Sequence, residues 1–240
     1  MKETFKFSMP ATTMFSKFKS GGGAQNSLET NPIGQHFEIG KQVASAGPEL
    51  VWKIHDAYRK SDGKECSIFI FEKRCAEKLH KPKRKETVTE ILRASVRQLE
   101  RFRHPKILHV LHPIEECADT LAFASEPVLA SLANILAYHD VNGSQSGINT
   151  ASNQQLPQRP AHAKEYNFLD IEYKYGILQI TEALSFLHYT GHVLHRNVCP
   201  ASILITKKGT WKLAGLEFTG ENIHTTQLPR RYRNWNIGDY

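Results

Sequence analysis

The side chains of this chain best suited to chemistry gather in its last quarter, where His188, His192 and His195 fall at a His-x3-His-x2-His spacing. Imidazoles this close in sequence could hold zinc, but a structural zinc site takes four ligands, and no Cys or carboxylate completes a recognisable set. The zinc reading is set aside on that ground, and no metal is expected. Cys66, Cys75, Cys117 and Cys199 are widely scattered, with no Cys-x-x-Cys pair and no signal peptide ahead of them. Such spacing fits reduced thiols in the cytosol better than a disulfide framework. The basic run Lys81-Pro-Lys-Arg-Lys85 lies where cations are densest, between Lys73 and Arg103. It could meet anionic lipid or serve as a nuclear address, although a solvated approach to a helix is the commoner meaning. No aromatic-interleaved strand motif or zinc-finger spacing accompanies it, so no nucleic-acid partner is expected.

The elements that must position these residues follow from composition and period. The chain has 240 residues, 40% of them apolar and 23% charged, with 31 Lys plus Arg against 24 Asp plus Glu for a net charge of +7. That length allows one large domain or two small ones, with a packed core over most of it. No run approaches the roughly 18–20 apolar residues of a membrane-spanning helix.

Residues 1–33 read as a flexible N-terminal arm rich in Gly, Ser and Asn, with Met14, Phe15 and Phe18 too few for a strong amphipathic pattern. Lys2 in place of Gly excludes N-myristoylation. Strands are expected at Phe37–Ser45, Leu50–Tyr58 and Glu65–Phe71, the last two joined through Ser61-Asp62-Gly63 as a hairpin. A helix follows, with Val88, Ile91, Leu92, Ser95, Leu99 and Phe102 on one face, and it ends before His104-Pro105. Two further strands are expected at Leu108–Leu111 and Leu121–Ala124, then a short helix at Ser131–Tyr138. Residues 140–165 are polar, with Gly143, Gly147, Pro157 and Pro160, and read as a surface insertion. Beyond it Ile177, Ile180, Leu184 and Leu187 predict an amphipathic helix from near Asp170, and a turn at Lys207-Lys-Gly209 leads to a strand at Thr210–Ala214.

This order of elements resembles the protein kinases, and short phrases recur in the matching order. His195-Arg196-Asn197-Val198-Cys199-Pro200-Ala201-Ser202 looks like the catalytic-loop phrase His-Arg-Asp-x-Lys-Pro-x-Asn. Arg103-His104-Pro105-Lys106-Ile107 resembles the turn after kinase helix C, Ser125-Glu126-Pro127-Val128 the hinge between lobes, and Lys212-Leu213-Ala214-Gly215-Leu216-Glu217 the Asp-Phe-Gly region. The resemblance implies an α+β, bilobal kinase-like fold. Its parts would be a five-stranded antiparallel N-lobe with helix C over 34–126, then a hinge and an incomplete helical C-lobe over 127–240.

The resemblance also implies which residues should carry phosphoryl transfer, and each charged one is replaced. Phe69 stands where the phosphate-binding lysine belongs, and Ser95 where its helix-C glutamate belongs. Asn197 replaces the catalytic aspartate, and an amide has no basic lone pair near neutral pH. Ser202 and Gly215 replace the two magnesium ligands. The glycine-loop positions carry Ala44, Ala46 and Glu49, with Gly47 and Pro48 between, and a carboxylate there would repel a triphosphate. Lys73, four positions beyond Phe69, is the one conceivable substitute cation. The apolar half of the site fares better: Val51 and Ser67 would roof an adenine, Leu204 would form its floor, and the backbone of Glu126 and Val128 would offer hinge hydrogen bonds. A slot filled by side chains such as Phe69 is the competing expectation.

The phrases Glu126-Pro-Val-Leu-Ala-Ser-Leu-Ala-Asn134, Lys174-Tyr-Gly-Ile-Leu-Gln179, Glu182-Ala-Leu-Ser-Phe-Leu-His188 and Gly209-Thr-Trp-Lys212 resemble the Scy-like pseudokinases over roughly residues 35–235. The nearest likeness is to the coated-vesicle-associated branch. It departs from that branch at Ser202, usually asparagine, and in a loop with fewer glycines. The resemblance implies a catalytically inactive scaffold or adaptor in clathrin-mediated traffic between the trans-Golgi network, endosomes and plasma membrane. It would be cytoplasmic and peripheral to coated vesicles and Golgi or endosomal membranes. Clathrin coat and adaptor components are the implied protein partners, with an anionic membrane surface as a further one. No cofactor is expected, ATP being the one candidate. The alternative is an atypical ATP-binding serine/threonine kinase of weak activity. Against the family pattern the sequence stops early, just past the Asp-Phe-Gly position, which would expose Leu178, Leu184 and Leu187 on the long helix.

Overall fold

The computed structural model describes residues 30–75, 85–136 and 168–221. The expected N-terminal arm up to residue 29, Lys81 to Arg84 of the basic run and the 140–165 insertion lie outside the described residues. A short helix α1 (Ile33–His36) leads into β1 (Phe37–Ala46), β2 (Trp52–Arg59) and β3 (Glu65–Glu72); then come α2 (Lys85–Arg101), β4 (Val110–Glu116) and β5 (Thr120–Ser125). These strands form one five-stranded sheet in the order β1-β2-β3-β5-β4, with every neighbouring pair antiparallel. After it come β6 (Val128–Ser131), α3 (Asp170–Ser185), β7 (Val193–Leu194), β8 (Ile203–Thr206), β9 (Trp211–Leu213) and β10 (Gly220–Glu221). A second sheet has the order β6-β8-β9, and β7 pairs with β10.

The β2–β3 turn shows the local chemistry at work. Gly63 takes φ 66°, a left-handed value that glycine adopts without a Cβ clash, and its N–H donates to Arg59 O at 2.8 Å. Asp62 Oδ1 accepts the Lys64 N–H at 3.2 Å, which holds the turn from the side.

Alternation along β3 sends Phe69 and Phe71 to one face and Cys66, Ile68 and Ile70 to the other, and both faces are buried. The inner face packs with Leu92, Val96 and Leu99 of α2 and continues without a break into Leu204, Ile205, Leu213 and Ile180. The outer face is covered by α1 and the start of β1, through Ile33 and Phe37. Burial pushes the Cys66 thiol up to about 11, so it packs there as a small apolar group.

Helix α3 begins where expected, its first turn held by Glu172 Oε2 accepting the Leu169 N–H at 2.8 Å. Its buried face is not the expected one. Gly176, Gln179, Ile180 and Ala183 point inward, while Ile177 is 62% exposed. The cause is Trp211 on β9. A Cβ at Gly176 would fall 2.3 Å from the indole, and Gln179 Oε1 accepts the Trp211 N–H at 2.7 Å. Bringing this glycine and glutamine against β9 rolls the helix, leaving Ile171, Tyr175 and Leu178 exposed. Leu187, expected on the exposed face, is fully buried, and Leu184 is half-buried.

Candidate functional site

The fold brings the residues expected to line a nucleotide cleft into one apolar cluster, where aromatic side chains pack among them. Phe69 is 2% exposed and stacks on Phe123 with ring centroids 4.7 Å apart and planes 22° from parallel. Trp52 meets the same pair edge-on, 6.4 Å from Phe69 and 5.2 Å from Phe123. Leu204 and Val128, both fully buried, belong to the same apolar cluster, and Val51 packs against its margin. Aromatic rings in these offset and edge-to-face contacts gain about 0.5–1.5 kcal/mol beyond their burial.

The main-chain groups expected to face an adenine already have partners within the protein. Ser67 Oγ accepts the Val128 N–H at 2.9 Å in a fully buried contact, and Ser125 Oγ donates to Glu126 O at 2.9 Å. These are the two main-chain groups expected to face a purine. The Glu126 carboxylate is engaged as well, by the His109 N–H at 2.9 Å and by Lys212 Nζ at 3.0 Å.

Above the cleft, the degenerate glycine loop folds down. Ala44 and Ala46 are buried in the apolar cluster, and Gly47 turns over Trp52 so closely that a Cβ would sit 2.6 Å from the indole. The Gly47 N–H, an anion donor in a phosphate loop, donates instead to Ala201 O at 2.9 Å. Pro48–Leu50 then make a short 3-10 turn in which Glu49 and Leu50 hold φ 50° and 57°. Left-handed geometry at two non-glycine residues costs about 1–2 kcal/mol each, so the surrounding contacts enforce it. Glu49 itself points to solvent. A buried lock ties β1 to the segment after β6: Asn134 Oδ1 accepts from Ser45 N at 3.0 Å and Ser131 Oγ at 2.9 Å, and Asn134 Nδ2 donates to Ser45 Oγ at 3.0 Å.

At the positions expected for the lysine–glutamate pair of a phosphate site stand Phe69 and Ser95. Ser95 on α2 is 2% exposed and lies beside the Glu217 carboxylate. Burial drives the Glu217 carboxyl above the usual range, its own N–H and Ser95 offset this only in part, and Oε2 is left with no hydrogen-bond partner. Lys73 does not substitute for the missing ammonium. It lies past the end of β3, where Nζ donates to Glu116 Oε1 at 2.6 Å and to Cys117 O at 2.7 Å. Arg93 holds the same Glu116 carboxylate, with contacts at 2.8–3.1 Å. Lys53, which sequence reasoning did not weigh, sits on the opposite sheet face from Trp52 and Ile54 and pairs with Glu72.

The residues at the expected catalytic-loop positions bond to the local backbone. His195 is 1% exposed, with Nε2 2.7 Å from Ala214 O and Nδ1 accepting the Asn197 N–H at 3.1 Å. Both ring nitrogens are therefore used, which removes it from the His188, His192, His195 metal set. Burial pushes its imidazole below the ordinary value, against the Ala214 contact and with the help of nearby His188. Ser202 is buried, its hydroxyl 2.9 Å from both Asn197 O and Cys199 O and accepting the Cys199 N–H at 3.0 Å. Gly215 adopts φ 70°, and a Cβ there would lie 2.6 Å from Ser202 Cβ. The two positions where a kinase would anchor magnesium thus pack against each other.

Two surface concavities flank the loop before β4, one bordered by Phe102, Pro105 and Lys212, the other by His104, Glu182 and Tyr189; neither is lined by Val51, Ser67, Val128 or Leu204. No helix among the described residues is long and apolar enough to cross a membrane.

No family model matches the chain. Among curated proteins it is 40% identical over 208 residues to SCY1-like protein 2 of Homo sapiens, an overlap covering 86% of this chain and 21% of that protein. It is 31% identical over 190 residues to the protein kinase domain-containing protein ppk32 of Schizosaccharomyces pombe, covering 76% of this chain and 24% of that one. A more distant relative, 22% identical over 210 residues and covering 84% and 21%, is the probable inactive serine/threonine-protein kinase scy1 of Dictyostelium discoideum. The chain spans about a fifth of the length of these relatives. Over the segment it shares with them, the chain belongs to the kinase-like SCY1-like family.

Proposed function

We propose that this chain is the kinase-like part of a SCY1-like scaffold that binds no nucleotide and transfers no phosphate. One observation carries the reading: the nucleotide cleft is occupied by the protein itself, with the Val128 N–H satisfied by Ser67 and the adenine space packed by Phe69, Phe123 and Trp52. Phosphoryl transfer depends on positioned cations and a base, and the corresponding positions carry Phe69, Ser95, Asn197, Ser202 and Gly215. In this reading α2 is helix C of a bilobal fold, and the segment from β6 onward opens the larger lobe.

The scaffold would act in clathrin-mediated traffic, on the cytoplasmic side of coated vesicles and of Golgi and endosomal membranes. Clathrin coat and adaptor components would be its partners. The support for this part is the likeness of the Glu126–Asn134, Lys174–Gln179 and Glu182–His188 phrases to the coated-vesicle branch. Thermal-shift titration with ATP, with and without magnesium, tests the inactive cleft: no shift is expected, and magnesium-dependent stabilisation overturns it. Co-precipitation with purified clathrin and adaptor complexes tests the trafficking role separately, and absence of both leaves that role without support.

A further inference from the structure

We propose that His36, His112 and Glu115 form a divalent-metal site of the zinc class, which fastens the chain's N-terminal strap to the edge of the five-stranded sheet. The candidate ligand atoms of the three residues all lie within 4.8 Å of one another. His112 Nε2 and Glu115 Oε1 are 3.1 Å apart. Two ligands of a tetrahedral zinc, each about 2.0–2.1 Å from the ion, are separated by about 3.3 Å, so this pair already has the spacing of a coordination edge. The His36 ring lies 4.8 Å from that of His112, tilted by 37°, and is exposed, so it can turn a nitrogen to the same point.

The placement is built by the backbone. His112 and Glu115 are three residues apart, and simple alternation would send them to opposite faces of β4. A bulge prevents this: His112 opposes Ala124 and Glu115 opposes Ala122, so three steps on β4 match two on β5. The edge position of β4 accommodates Pro113 inside the bulge. The third residue comes from a strap that is itself anchored. Asn31 Nδ2 donates to Thr120 Oγ1 at 2.9 Å, Asn31 Oδ1 accepts the Ile33 N–H at 3.0 Å, and Ile33 and Phe37 are buried on either side of His36. Ligands held on such supports need little reorganisation to bind.

Two imidazoles and one carboxylate suit zinc better than calcium or magnesium, which prefer all-oxygen shells. Three protein ligands leave a fourth position for water. The consequence would be a strap whose docking on the outer sheet face responds to metal.

The test is calorimetric titration of the metal-free full chain with zinc chloride, joined to amide exchange across residues 31–37. One equivalent should bind in the micromolar range or tighter, and zinc should slow exchange in the strap. His36→Ala and His112→Ala should each weaken that binding by about tenfold or more and abolish the protection, while His192→Ala should leave both unchanged. His36 is exposed, so its variant keeps the core intact even if His112→Ala perturbs the sheet. Millimolar or multiple weak binding in the wild type, or wild-type affinity in the His36→Ala chain, overturns the proposal.

Discussion

Gly215 and Ser202 face each other so closely that the smallest side chain at position 215 would stand 2.6 Å from Ser202 Cβ. A kinase needs carboxylate and amide groups at these two places to hold magnesium, with the ion between them. Here a glycine and a serine stand at those places and pack against each other, so a larger side chain at position 215 meets Ser202 before it meets anything else.

Replacing Gly215 by Asp should therefore destabilise without restoring metal binding. The left-handed backbone and the contact with Ser202 together predict a loss of about 2–4 kcal/mol. Gly215→Ala should lose nearly as much, because the Cβ causes the clash. Denaturant midpoints of the two variants measure this, and a neutral Gly215→Ala would show that the turn can open.

Phe69 makes a second case in which restoring a kinase residue should fail. Truncation to Ala removes the ring that stacks on Phe123 and abuts Trp52, with an expected cost of about 3–5 kcal/mol. Phe69→Lys should cost more, since Ser95 offers no carboxylate and the ammonium would lie among aromatic rings. Urea unfolding of the two variants ranks them, and a magnesium-ATP thermal shift in Phe69→Lys would contradict the packed cleft.

Much of this was legible from residue types. The strand-three Phe, the Asn of the catalytic loop and the paired Ser202 and Gly215 announce missing charge because each chemical role admits few residue types. The five-stranded sheet was legible because alternation and the Asp62-Gly63 turn are local. Other features depend on partners distant in sequence. Ser67 reads as a neutral roof until Val128, 61 residues later, is seen donating to it. The roll of α3 is set by Trp211, whose indole lies over Gly176, and the apolar period of Ile177 and Ile180 could not reveal that. Strand alternation places Lys73 on the face of Phe69 and Phe71, but the strand ends at Glu72, so alternation does not reach it.

Asn134 is a buried clamp between β1 and the segment after β6, accepting from Ser45 and Ser131 and donating to Ser45. Asn134→Ala would leave the Ser45 N–H buried without a partner, at a cost of about 1–3 kcal/mol. The change should be local first. Amide exchange at Ser45 and along Val43–Ala46 should accelerate ahead of global unfolding, while β2 and β3 keep their protection. Uniform acceleration across the sheet would mean that the lock has no separate role.

Glu217 gives the pH dependence. Burial raises its carboxyl above the ordinary value of about 4.5, and Oε2 has no partner to compensate. The folded chain therefore holds this proton more tightly than the unfolded chain does. Its contribution to stability is fully present below about pH 4.5 and is lost as pH rises through the higher folded value. His195 acts in the opposite sense: its imidazole is depressed below 6.5 by burial, so protonation of the unfolded chain erodes stability as pH falls through that region. The difference between wild type and Glu217→Gln isolates the carboxyl. At pH 7.5 the Gln variant should melt higher, because it keeps a hydrogen-bonding group against Ser95 without a charge to bury. The advantage should shrink toward pH 4, where the wild-type carboxyl is protonated. Melting curves across this range that run parallel for the two proteins would place Glu217 in water, not beneath α2.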